Sequence, residues 1–172
     1  VVAQLKVHLQ HESNRALVVL QQAARARGVT FTFDDDAVSV GGGTGSLTFP
    51  LRAIPEPSAI DWSTVHDIPV ALVTGSNGKT TTTRLLAAML REAGHVAGLT
   101  STDGVWCDDA MVDHGDYSGP VGARLVLRDR RVSAAVLETA RGGMLRRGVA
   151  IDRCNVAVVT RITADHMGEY GV

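Results

Sequence analysis

Aromatic residues make up only 4% of this chain. Its core must therefore be built from Val, Leu, Ile and Ala. A dominant sign of charge is missing too. Seventeen Lys and Arg stand against eighteen Asp and Glu, a formal net charge of −1. That balance supplies no global field to recruit nucleic acid or an anionic membrane, so any anion must be held by a local site. Cysteine is sparse. Cys107 and Cys154 lie far apart and in no metal-type spacing, which predicts two reduced thiols in a cytoplasmic protein. No apolar run approaches the ~20 residues of a membrane-spanning helix, and no signal-peptide pattern is seen. The chain opens on Val1 rather than Met and closes on Tyr170-Gly171-Val172 straight after a polar motif. Both ends read as cut, which predicts a piece of a longer polypeptide.

What is present is an ordinary globular composition, 45% hydrophobic and 20% charged over 172 residues. Residues 13–27 (SNRALVVLQQAARAR) predict a helix, with Ser13 or Asn14 as cap and Gly28 just past its end. Short alternating runs around a flexible GGGTG then predict a small antiparallel hairpin. Pro55, Pro57 and the polar IDWSTVHDIP mark a linker ending near Pro69. Nothing before Pro69 forms a chemical constellation, and His8, His11 and His66 read as solvated or core histidines. From there strands alternate with helices. PVALVT, HVAGLTST, AAVLET and VAVVTRI read as strands of a buried, mainly parallel sheet. Leu85, Leu86, Met89, Leu90 and Ala93 stripe one helix, and GARLVLRD and GGMLRRG read as short ones. The prediction is an α/β fold with a parallel sheet flanked by helices over 67–172, preceded by a small α+β segment over 1–66.

The stretch VALVTGSNGKTTTTRLLAAML places a strand, a glycine turn, Lys-Thr and a helix in succession. This is the arrangement of a phosphate-binding loop, in which glycines let backbone N–H groups surround an anion at a helix N-terminus. Gly75, Ser76, Asn77, Gly78, Lys79, Thr80 and Thr81 are the candidate nucleotide-binding residues. Lys79 would reach the β/γ-phosphates and Thr80 would ligate Mg²⁺. The bland alternative is a capped helix, with Thr80 or Thr81 as cap and Gly78 serving the turn. The general pattern asks for a glycine five residues before Gly78, where this sequence has Val73; the extra glycine is Gly75 instead.

TGSNGKTTT resembles the ATP loop of the Mur ligase family. The segments TSTDGVW, GDYSGPVGARLVLRD, AAVLETARGGMLRRG and ADHMG resemble, in the same order, the Mur-ligase-like half of the cyanophycin synthetase family. The resemblance runs from about Ile68 to the C-terminus, and the first ~65 residues find no counterpart in it.

The resemblance implies a P-loop fold and an ATP-dependent ligase that joins a carboxylate to an amine through an acyl phosphate. For a cyanophycin-synthetase-like enzyme the step adds arginine to an aspartate side-chain carboxylate. It implies ATP and Mg²⁺, with a peptide or small-molecule carboxylate and an amino acid as partners, and leaves a homo-oligomer open. It also makes Glu138 the carboxylate that binds Mg²⁺ opposite Thr80; the alternative is a surface carboxylate with a basic neighbour such as Arg141. His166 matches a histidine that ligates a second Mg²⁺, so Lys79, Glu138 and His166 form the implied catalytic set. Asp103, Asp116, Ser118, Arg124 and Arg141 fall in segments that would face the substrate. Arg161 stands where the family has Asn, and could clamp a carboxylate or disturb the second metal. Other branches of the superfamily, folylpolyglutamate or peptidoglycan-precursor ligases, remain open, as does a nucleotide-binding module without ligase activity. The fragment by itself is expected to be feeble or inactive.

Overall fold

The computed structural model describes residues 14–164. Helix α1 (Arg15–Ala26) starts where the sequence predicts, with the Asn14 side chain accepting a hydrogen bond from the Leu17 amide at 3.2 Å. It packs Leu20 and Ala24 against a small antiparallel sheet of order β1-β2-β3, formed by Phe31–Phe33, Ala37–Val40 and Leu47–Pro50. The predicted hairpin is thus a three-stranded sheet, and the glycines of GGGTG are packed inside rather than looped into solvent. Gly41, Gly42, Gly43 and Gly45 are buried because a backbone passes on each side. A Cβ on Gly43 would lie 2.2 Å from the Val132 carbonyl, and one on Gly45 2.3 Å from that of His66. Residues 55–69 carry two short 3₁₀ turns, Pro57–Ala59 and Trp62–Thr64, and Ile60, Val65 and Ile68 outside them are buried.

The remaining strands form one six-stranded sheet of order β7-β6-β5-β8-β4-β9. They are β4 (Val70–Thr74), β5 (Ala97–Ser101), β6 (Gly104–Cys107), β7 (Ala110–His114), β8 (Ala134–Glu138) and β9 (Val156–Val159). The pairs β5·β8, β8·β4 and β4·β9 are parallel, whereas β6 and β7 extend the edge as an antiparallel hairpin. That hairpin is absent from the sequence reading. It turns at Asp108, whose φ of 56° is left-handed.

Side chains alternate along β4 and β8, so the sheet has a core on each face. Val73, Ala71 and Val136 meet Ala87 and Leu90 of α2 (Lys79–Glu92). Val70, Ala135 and Leu137 meet Val126 and Leu127 of α3 (Pro120–Arg128) on the other side. Gly98 permits the α3 contact, since a Cβ there would sit 2.4 Å from a Val126 methyl carbon. A short helix α4 (Arg141–Arg147) follows β8. The two sheets are joined by polar contacts. Asp34 receives Arg128 Nη1 at 2.5 Å, and the Thr44 amide donates to the Val132 carbonyl at 2.8 Å. Among the described residues no helix is long and apolar enough to cross a membrane, and both cysteines are free.

Candidate functional site: a phosphate loop beside an orphaned carboxylate

The loop between β4 and α2 is built at the carboxyl edge of the parallel strands, where open α/β sheets bind ligands. Gly75 (φ 133°) and Gly78 (φ 84°) both take conformations that side-chain-bearing residues avoid. A Cβ on Gly78 would meet nothing nearer than Thr160 Cβ at 3.9 Å, so its glycine is asked for by backbone conformation rather than by crowding. No side chain caps the N-terminus of α2, so neither Thr80 nor Thr81 serves as its cap; a helix N-terminus of this kind favours an anion. Lys79 Nζ donates to the Ser76 carbonyl at 3.2 Å, which holds its charge over the loop.

β8 lies directly beside β4, and Val73 pairs with Glu138 in the parallel register. This places the Glu138 carboxyl beside the first turn of α2, where Thr80 Oγ1 donates to its Oε2 at 2.9 Å. The Glu138 amide donates to Thr100 Oγ1 at 3.1 Å, fixing the strand end. Glu138 is 1% exposed, so the surface-carboxylate alternative also fails. Burial pushes its pKa above the ordinary carboxylate range, and the Thr80 hydroxyl and Lys79 charge, which pull it down, do not outweigh that. Its Oε1 is buried with no hydrogen-bond partner among the described residues.

An orphaned carboxylate oxygen and a threonine hydroxyl on one side of a phosphate loop fit Mg²⁺. Such an ion takes hard oxygen donors, keeps several waters and uses one or two protein ligands together with substrate phosphates. Among the described residues no group of three or more His, Cys, Asp or Glu gathers as a metal site, here or elsewhere.

The other candidates divide. Ser118 is buried, and Asp116 Oδ1 accepts from its amide at 3.0 Å and its hydroxyl at 2.6 Å. The Ser118 carbonyl in turn accepts the Ala140 amide at 2.9 Å, tying the GDYSGP loop to the residue before Arg141. Asp116 is near enough for its charge to push Glu138 further up. Asp103 sits at the β5–β6 turn in an exposed ion pair with Arg84 at 2.6 Å. Thr81 is exposed on the first turn of α2. Arg124 points away from this group and lies 3.4 Å from Asp34 of the first sheet. His166 lies outside the described residues. The Arg161 side chain is exposed, while its carbonyl accepts the Ser76 amide at 2.6 Å. Two threonines escape the sequence reading. Thr102 Oγ1 lies 3.4 Å from Thr80 Oγ1, and Thr160 touches the loop from outside. Only their place at strand ends could have signalled them.

Comparison with known proteins agrees with this architecture. Over 101 residues the chain is 56% identical to a cyanophycin synthetase of Geminocystis herdmanii (strain PCC 6308), covering 59% of this chain and 12% of that protein. A cyanophycin synthetase of Synechocystis sp. is 54% identical over the same length, again 12% of the relative. A UDP-N-acetylmuramoyl-L-alanyl-D-glutamate–2,6-diaminopimelate ligase of Corynebacterium glutamicum is 31% identical over 156 residues, covering 88% of this chain and 27% of that enzyme. A match of that length extends well before residue 67, so the N-terminal segment does have a counterpart within the superfamily. The chain therefore spans a small part of the curated relatives it matches. Residues 73–172 match the Mur ligase middle domain, more than half of the sequence, and the chain belongs to that family.

Proposed function

We propose that this chain carries the nucleotide centre of an ATP-dependent acid–amino-acid ligase of the cyanophycin-synthetase type, working through an acyl phosphate. The observation that supports it best is the buried, unpartnered Oε1 of Glu138 beside Thr80 at the mouth of the loop. A buried carboxylate oxygen left without a hydrogen bond costs stability, and a metal–nucleotide ligand explains why it is kept. On this reading residues 67–172 form the nucleotide-binding domain and 1–66 a smaller unit attached to it.

In the first step a substrate carboxylate oxygen attacks the γ-phosphorus of ATP, and the bond to the β-bridging oxygen breaks to release ADP. The amine of the incoming amino acid then adds to the acyl carbon, phosphate departs, and the nitrogen loses a proton. Most of the protein's task is positioning and charge neutralisation. Loop amides and the α2 N-terminus hold the phosphate oxygens, and Lys79 neutralises charge on the transferring group. Thr80 and Glu138 would hold Mg²⁺, which supplies electrostatic stabilisation of the phosphates when bound. His166 would serve a second Mg²⁺. Asp116 and Ser118, held in one turn beside Glu138, would face the acceptor, with Asp103 and Arg141 at its flanks; Arg124 would support that loop through α3 rather than touch substrate.

Calorimetric titration of MgATP into the chain and its Lys79→Ala variant tests the nucleotide site. The expected outcome is binding to the parent and at least a ~30-fold loss in the variant, the scale of a lost charge-assisted contact. Equal affinity in both sinks the proposal. The 31% identity to the 2,6-diaminopimelate ligase, which covers 88% of this chain, favours a second reading, a peptidoglycan-precursor enzyme. ATP-dependent phosphate release with arginine and an aspartate-bearing peptide, compared with diaminopimelate and its precursor, separates the two.

A further inference from the structure

The phosphate loop is braced from behind by the residues that follow β9, and no part of the reaction above uses them. Thr160 Oγ1 lies 2.6 Å from the Asn77 carbonyl and 3.2 Å from the Thr74 carbonyl. The Thr160 amide donates to the same Thr74 carbonyl at 2.9 Å, and the Ser76 amide donates to the Arg161 carbonyl at 2.6 Å. The Thr163 amide donates to Ser76 Oγ at 3.0 Å. Gly75 has no room for a side chain on this flank, since a Cβ would sit 2.3 Å from Thr160 Oγ1.

We infer that Thr160 is a positioning residue for nucleotide binding: its hydroxyl holds the Asn77 carbonyl outward and so turns the Gly78 amide toward the phosphates. The reasoning is geometric. In a trans peptide the C=O and the following N–H point to opposite sides of one plane, and no described peptide bond is cis. Pinning the Asn77 carbonyl to Thr160 therefore aims the Gly78 N–H into the cradle. The Ser76 amide is spent on Arg161 and faces away. The cradle is then left to Gly78 and the first amides of α2, and the orientation of a single peptide plane decides whether it opens on a full set of donors. Without the hydroxyl, the Asn77–Gly78 plane can flip, because glycine tolerates either orientation. The inference rests on the nucleotide reading for its purpose, but the loop geometry stands without it.

The test compares Thr160→Val, which keeps the shape and loses the hydroxyl, with Thr160→Ser, which keeps the hydroxyl. Two readouts are taken on the full chain: MgATP affinity by calorimetry, and hydrogen exchange of the Gly78 amide by NMR without nucleotide. In Thr160→Val, MgATP should bind about tenfold more weakly, the scale of one lost hydrogen bond, and Gly78 exchange should change. Thr160→Ser should restore both to within about twofold, while inorganic phosphate alone should bind the parent far more weakly than MgATP. Unchanged Gly78 exchange in Thr160→Val overturns the inference, as does a serine variant as impaired as the valine one. If Thr160→Val does not fold, Thr160→Ala carries the same comparison against serine. If the parent binds no MgATP, the nucleotide reading fails, and Gly78 exchange alone still upholds or overturns the brace.

Discussion

Two carboxylates in this molecule are treated in opposite ways. Asp34, in the turn after β1, is pushed up by burial. The amides of Ala37 and Asp36 and the Arg128 guanidinium outweigh that and hold its pKa below the ordinary range. Arg124 stands on its other side at 3.4 Å. Glu138 is more deeply buried, the Thr80 hydroxyl and the Lys79 charge do not outweigh that burial, and its pKa is pushed up. Asp34 joins two sheets, and a charge used for joining is satisfied within the chain. Glu138 stands beside the loop with one oxygen bonded by Thr80 and the other, Oε1, left without a hydrogen bond among the described residues. Buried charge that folding does not pair is thus a pointer to function, because it costs stability that packing alone would not concede.

The sharpest way to break this contrast is Glu138→Gln, which keeps the shape and removes the charge. The Mg²⁺-dependent part of ATP affinity should fall by at least about tenfold. Stability without nucleotide should rise by about 1 kcal/mol at neutral pH, because a carboxylate whose ionisation burial disfavours is gone. Calorimetry with and without Mg²⁺ and a denaturant melt read the two effects. A variant that is less stable and still binds MgATP normally would make Glu138 a structural residue like Asp34.

Gly75→Ala attacks the loop itself. The added methyl meets Thr160 Oγ1 at 2.3 Å and the Arg161 carbonyl at 2.9 Å, in a backbone with φ 133°. A cost of about 2–3 kcal/mol in unfolding free energy is expected from strain and collision together. MgATP affinity should fall in parallel, read by the same melt and titration.

These residues show what a sequence can carry. The phosphate loop was legible because its chemistry is local. Strand, glycines, lysine and helix are consecutive, so one short stretch specifies the geometry of the turn. The parallel strands were legible because burial on both faces leaves continuous apolar runs such as VALV and AAVL. The β6–β7 hairpin was not, since Trp106, Met111 and Val112 are interrupted by Asp108-Asp109 and an antiparallel edge needs no buried run. The partner of Arg124 could not be read either. Asp34 lies far upstream on another sheet, and a long-range ion pair leaves no periodicity. The work of Thr160 is hidden for the same reason, since nothing next to it in sequence names the loop it braces.

The joining side of the contrast is tested by Arg128→Ala, which removes bonds to Asp34, Ser39 and the Ala37 carbonyl at once. These groups are partly buried, so unfolding free energy should drop by about 2 kcal/mol. MgATP affinity should stay within about twofold, because the cluster lies away from the loop. A large loss of affinity would mean that the two sheets communicate.

The smallest effect is a pH dependence that separates the two carboxylates by sign. The Asp34 pKa is lowered on folding, so its stabilisation is present above the ordinary carboxylate value, near pH 4. It is lost as pH falls through the depressed value. Asp34→Asn should therefore cost about 1 kcal/mol at pH 6, and the gap to the parent should close as the pH falls from the ordinary carboxylate value through the depressed one. Melts of both proteins from pH 6 to pH 2.5 measure it. Glu138→Gln, through the opposite linkage, should gain over the parent as pH rises above about 4. A gap for Asp34→Asn that stays constant with pH would show that its guanidinium partners contribute nothing electrostatic. The joint between the sheets would then be one of packing, and the contrast with Glu138 would rest on burial alone.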